Sequence, residues 1–144
     1  MTKYILDTCI FNWLLDGQIR IEDLPSDGVL VSSPVQQAEL NATKCEERRA
    51  QLSLKFRQIG PDLVPAESLM FDVEGAGFDQ AKFGDGTTYT LLKAALDAQK
   101  PKPNNVQDAL IAEVALKNGM TLITADGRLK EVAEQFAIHV KFYC

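Results

Sequence analysis

Four acidic residues fall where carboxylates can work together: Asp7, Glu39, Asp108 and Asp126. Asp7 directly follows the short apolar run Tyr4–Leu6, and Asp126 follows Leu122-Ile123-Thr124. Asp108 lies in the first turn of a helical pattern just ahead of that second run. Glu39 lies in the second turn of a helical pattern that starts at Pro34. Crowded carboxylates repel one another, and a divalent cation is the simplest partner that lets them share a site. Each acid also has a plainer role. Asp7 and Asp126 suit helix N-caps, where a carboxylate accepts free N–H groups and meets the positive end of the helix dipole. Asp108 can close a capping box with Asn105, and Glu39 can be a solvated helix side chain. Capping alone does not call for four acids in these segments. Nor does it call for Thr8 and Thr124 beside two of them, where a hydroxyl can orient a carboxylate or a metal-bound water.

These acids need a frame to hold them. Tyr4–Leu6 reads as a buried strand ending at Asp7. Ile10, Phe11, Trp13, Leu14 and Leu15 then follow helical spacing as far as Gly17, with Phe11, Trp13 and Leu14 as core. A second strand, Val29–Val31, leads to Ser33, a helix cap, and to Pro34 at the first helical position. That helix carries Val35, Ala38, Glu39 and Leu40. Residues 44–59 are again helical, with Leu52, Phe56 and Ile59 as the apolar stripe, and Gly60-Pro61 ends the helix. Residues 62–88 hold Gly75, Gly77, Gly84 and Gly86 and read as a loop or irregular turn. A helix over Tyr89–Ala98 is broken by Lys100-Pro101-Lys102-Pro103. The next helix, capped by Asn104 or Asn105, runs to Asn118 and stops at Gly119. Thr121–Thr124 is a strand, Asp126 opens a helix to about Phe136, and Ile138–Phe142 is the last strand. Strands alternating with helices specify an α/β fold: a three-layer α/β/α sandwich around a central parallel sheet. In such sheets ligands bind beyond the carboxyl ends of the strands, where the strand order reverses.

The 144 residues, 46% hydrophobic, are enough for one domain over 1–144 with its own core. No run of about 20 apolar residues and no signal-peptide pattern occurs, so the expectation is a cytoplasmic chain without membrane contact. Cys9, Cys45 and Cys144 make no C-x-x-C pair and read as reduced thiols. His139, the single histidine, reads as structural. The net charge of −5 at first argues against a nucleic-acid partner. Acids concentrated around a cation would blunt that argument. Lys44, Arg48, Arg49, Lys55 and Arg57 also lie close together. They suit either phosphate contact or the solvated face of a helix that carries Glu46 and Glu47.

Ile5-Leu6-Asp7-Thr8, Glu39 in its helix, Asp108-Ala-Leu-Ile-Ala, and Gly119-Met-Thr-Leu-Ile-Thr-Ala-Asp126 together resemble the PIN-domain nucleases. Within that family the chain is most similar to the VapC-type toxins of toxin–antitoxin modules. The resemblance runs from Lys3 to about Phe142, though the Gly75–Gly86 stretch has no counterpart in it. It implies Mg2+ or Mn2+ and hydrolysis of RNA. It makes Asp7, Glu39, Asp108 and Asp126 the catalytic and metal-binding quartet. Asp7 and Asp108 would meet the metal most directly, and Glu39 and Asp126 would complete the site or position the attacking water. Thr124 would be the supporting hydroxyl. A cognate antitoxin and a homodimer are further implications. Two other classes compete. One is a catalytically weak PIN-like module that binds RNA or protein. The other is a phosphatase or phospho-acceptor domain: a haloacid-dehalogenase-like phosphatase would want a second Asp two residues after Asp7, where Cys9 stands, and a receiver would want its acceptor Asp in the middle of the chain and a late lysine after a strand.

Overall fold

A computed structural model describes residues 2–63, 87–102 and 105–143. The glycines Gly75, Gly77, Gly84 and Gly86, the alternative cap Asn104 and Cys144 lie outside the described residues. In chain order the elements are β1 (Thr2–Leu6), α1 (Thr8–Asp16), β2 (Gly28–Ser32), α2 (Pro34–Asn41), α3 (Glu46–Ile59) and β3 (Asp62–Leu63). Then come α4 (Thr87–Gln99), α5 (Asn105–Asn118), β4 (Thr121–Thr124), α6 (Gly127–Gln135) and β5 (Val140–Phe142). The sheet order is β3-β2-β1-β4-β5, and every neighbouring pair is parallel. The order therefore reverses beside β1, between the strands that lead to Asp7 and Asp126.

Alternation along the strands sorts the core into two layers. Ile5, Val31 and Leu122 point to one face, where Leu92 and Leu96 of α4, Leu110 and Val114 of α5, and Leu129 and Val132 of α6 cover them. Leu6 and Ile123, one residue further along, point to the other face, against Ile10, Phe11 and Leu14 of α1, Leu40 of α2 and Leu52 of α3. Each such fully buried large side chain contributes on the order of 2 kcal/mol through lost apolar surface. The Phe11 and Phe56 rings stack with centroids 5.4 Å apart, tying α1 to α3. Trp13 is only half-buried. Helix α5 is buried from Asp108 to Ala115 without a break, as befits a helix at the middle of a layer. This is the α/β/α sandwich expected from the sequence.

The departures have local causes. Strand β3 is two residues long, too short to show a period, and pairs Val31 with Asp62 and Ser32 with Leu63. Strand β5 starts at Val140 rather than Ile138 because the Ile138 N–H donates to the Ala133 carbonyl (3.0 Å) and closes the end of α6. Ala137 takes a positive φ of 61° to allow that turn. Helix α3 begins at Glu46, which places Glu46 and Glu47 in its first turn, where the dipole favours them. The cap at Pro34 works in one direction only. Gln36 Oε1 accepts from the Ser33 N–H (2.6 Å) and from Ser32 Oγ (3.0 Å), while Ser33 Oγ finds no partner among the described residues. Among the described residues, no helix is long and apolar enough to cross a membrane.

Candidate active site

Asp7 is the last residue before α1, with extended φ and ψ of −70° and 152°. Its N–H continues the β1–β4 ladder to the Ile123 carbonyl (2.9 Å), which fixes it against the end of β4. Three donors converge on its carboxylate. The Thr8 N–H reaches Oδ1 at 2.8 Å, Thr124 Oγ1 reaches Oδ2 at 2.7 Å, and Cys9 Sγ reaches Oδ2 at 3.1 Å. Asp126 caps α6 by accepting from the Arg128 N–H (2.9 Å), and Thr124 Oγ1 accepts from the Asp126 N–H (3.0 Å). The Arg128 guanidinium lies 3.7 Å from Asp126. Capping and site formation are thus the same act at both aspartates. The two threonines do serve carboxylates, but with crossed partners. Thr124, next to Asp126 in sequence, holds Asp7. Thr8, next to Asp7, donates to Glu39 Oε1 at 2.9 Å.

Asp108 is treated differently. It is 6% exposed, and its Oδ2 has no hydrogen-bond partner among the described residues. The capping box with Asn105 does not form. The Asn105 amide instead donates to Asp97 (2.8 Å) and to the Lys100 carbonyl (2.9 Å), and its own Oδ1 has no partner among the described residues.

All four acids line one cleft of about 210 Å³, together with Thr8 and Asn12. Larger hollows of about 590 and 610 Å³ lie along α3 near Leu54 and Arg57, but no cluster of carboxylates faces them. Chemistry rather than size therefore singles out the acid cleft. Its electrostatics are those of unneutralised carboxylates. Burial pushes the Asp108 carboxyl up to about 8, and the charges of Asp7, Glu39 and Asp126 add to the effect against a small offset from Arg128. Burial pushes Glu39 up to about 7, opposed by the Thr8 hydrogen bond and aided by the Asp7 charge. Asp7 is also raised by burial, although the Cys9, Thr124 and Thr8 donors pull the other way. Burial and the Asp7 charge raise the Cys9 thiol far above its usual range, so it stays an S–H donor.

Oxygen donors of this kind suit a hard divalent cation, and Asp108 Oδ2, without a hydrogen-bond partner among the described residues, is of the type to ligate one. Among the described residues, however, no group of three or more His, Cys, Asp or Glu is arranged to hold a metal ion. The acids share a cleft rather than a coordination sphere. Sequence reasoning missed Cys9 and Asn12. The available signal was helical position: Cys9 is in the first turn after Asp7, and Asn12 is one turn beyond Thr8. His139 is exposed and stands outside the cleft.

Among solved structures, the chain is similar to VapBC2 from Rickettsia felis bound to a DNA fragment from their promoter. Identity is 15% and the TM-score 0.56, covering 99% of this chain and 100% of that one. It is also similar to VapBC-5 of Mycobacterium tuberculosis, a member of the VapBC family of toxin–antitoxin systems, at 20% identity and TM-score 0.50 over 99% and 98% of the two chains. A domain of a functionally unknown protein from Methanocaldococcus jannaschii matches at 16% identity and TM-score 0.53, over 100% and 92%. These likenesses concern the fold. No curated protein matches the sequence. The family model of the PIN domain matches residues 4–135, which takes in all four acids and both threonines. The chain belongs to the PIN-domain family.

Proposed function

We propose that this chain is a divalent-cation-dependent endoribonuclease and the toxin of a toxin–antitoxin pair. The observation that carries the reading is the cleft in which Asp7, Glu39, Asp108 and Asp126 lie together without enough positive charge among the described residues to balance them. Membership of a nuclease family supports hydrolysis of a nucleic acid. The VapBC neighbours support a protein antitoxin as partner.

Asp7 and Asp108 would hold Mg2+ or Mn2+, with Glu39 and Asp126 completing the site. Such a cation supplies a bound water of lowered pKa and charge stabilisation at the phosphate. The rest falls to the protein. Thr124 and Cys9 keep the Asp7 carboxylate in one orientation. Thr8 keeps Glu39 turned toward Asp7, where it positions the attacking water and accepts its proton. Arg128 keeps Asp126 at the rim.

The test is cleavage of RNA with Mg2+ or Mn2+ by wild type, Asp7→Asn and Asp108→Asn. Each substitution is expected to lower the rate by roughly 100-fold or more. Cleavage that survives both changes would falsify the site. A second reading, a PIN-like binding module with weak catalysis, is favoured by the absence of a gathered ligand group among the described residues. A folded wild type that binds RNA, takes up no Mn2+ and cuts nothing would select it.

A further inference from the structure

Resting on the endoribonuclease reading, we propose that Asn12 is a substrate-contact residue. Its Nδ2 donates to a non-bridging phosphate oxygen of the bound RNA strand, and Arg48 and Asp16 form the clamp that sets the amide's orientation.

The cleft is lined by four carboxylates, which repel a phosphate. Among the described residues, its other side-chain donors are committed: the Thr8 hydroxyl to Glu39, the Cys9 thiol to Asp7. Asn12, on α1, contributes a side-chain amide to the lining. Which end of that amide faces the cleft is decided from outside. Arg48, on α3, donates to both Asp16 oxygens (2.9 and 3.2 Å) and to Asn12 Oδ1 (2.8 Å). A guanidinium can only donate, so the amide oxygen must face it and the NH2 must face away. Nδ2 then lies toward Thr8, 3.4 Å from its carbonyl, a long contact that leaves donor capacity unused. Bonding to a cation at Oδ1 also polarises the amide and strengthens the donor at its other end. Arg48 belongs to the basic segment that has two readings in the sequence. Its guanidinium is turned to α1, so its charge reaches the cleft through Asn12.

The measurement is steady-state cleavage of a labelled single-stranded RNA with Mn2+, paired with Mn2+ titration of the RNA-free protein. Asn12→Ala is expected to raise KM about tenfold, the loss of one hydrogen bond to a charged group, with Mn2+ affinity unchanged. Asn12→Asp keeps an acceptor for Arg48 but adds a fifth carboxylate, so it should raise KM further. It tests the same contact should Asn12→Ala fail to fold. Arg48→Ala should raise KM in wild type and have little further effect in Asn12→Ala. An unchanged KM in both Asn12 variants of an active enzyme overturns the substrate contact. A full Arg48→Ala effect in the Asn12→Ala background overturns the clamp. If wild type cuts no RNA at all, the endoribonuclease reading falls and takes this inference with it.

Discussion

Asp7 and Asp108 are two buried aspartates in one cleft, and the protein treats them in opposite ways. Asp7 sits at a strand end that three donors reach: a backbone N–H, a hydroxyl and a thiol. Asp108 sits in the first turn of α5, with an oxygen that nothing bonds among the described residues and a carboxyl that burial, helped by three acids, raises to about 8. One charge is solvated by the fold itself. The other is left for something outside the chain to neutralise. The contrast teaches that a carboxylate cluster need not be uniformly strained. One member can be the fixed reference while another carries the deficit.

The largest test of this contrast is pH. In the cation-free protein, Asp108 and Glu39 hold protons in the folded state that the unfolded chain has already released. The stability these groups contribute should therefore be fully present only below about pH 4. It should be lost progressively as pH rises from there through the folded values of about 7 and 8, by a few kcal/mol in all. Thermal melts should show Tm dropping by roughly 10 °C across that window. Mg2+ or Mn2+ should restore most of the loss at the alkaline end. A Tm that holds steady from pH 5 to 8.5 would mean the cleft carries no unneutralised charge.

Next in size is the pair of isosteric changes. At about pH 8 without cation, Asp108→Asn should stabilise the protein by roughly 2 kcal/mol, because it removes a buried charge without removing a partner. Asp7→Asn should give no such gain, since donors point at both carboxylate oxygens and either orientation of the amide sets its NH2 against one. Equal gains in urea unfolding would erase the distinction between the two sites.

Smaller effects sharpen it. Thr124→Val removes the shortest hydrogen bond to Asp7 and leaves the Asp126 N–H without its hydroxyl acceptor. A loss of about 1–2 kcal/mol is expected. Cys9→Ala removes a weak S–H donor to Asp7 and a weak sulfur acceptor 3.4 Å from the Ala125 N–H, and should cost less than the threonine change, about 1 kcal/mol. If Cys9→Ala proves the costlier change, the hydroxyl is not what holds Asp7.

Much of this was legible in the sequence, for identifiable reasons. Asp7 and Asp126 follow short apolar strands, and the rule that ligands bind where strand order reverses places them together. Asp108 stood out because its helix runs straight into β4. Glu39 rested on resemblance, and no local pattern marked it. What sequence could not show was pairing across elements. Thr8 and Thr124 read as helpers of their neighbours, yet the hydroxyl of each serves an acid on another element: Thr124 meets Asp7 where two strand ends adjoin, and Thr8 meets Glu39 where α1 faces α2. Cys9 and Asn12 escaped notice because one reads as an isolated thiol and the other as an ordinary helix polar residue. Only the approach of α3, which brings Arg48 to Asn12, gives the second a role.

The central place of β1 has a consequence for synthesis. Strand β1 is made long before β4, one of the two strands it pairs with. Asp7 meets the hydroxyl that orients it across 117 positions of chain. A nascent or truncated polypeptide that stops before β4 carries the first acid without its holder, and without Asp126 behind it. The long-range closure that slows such a fold also acts as a timer. The cleft can be assembled only when nearly all of residues 4–126 have been made.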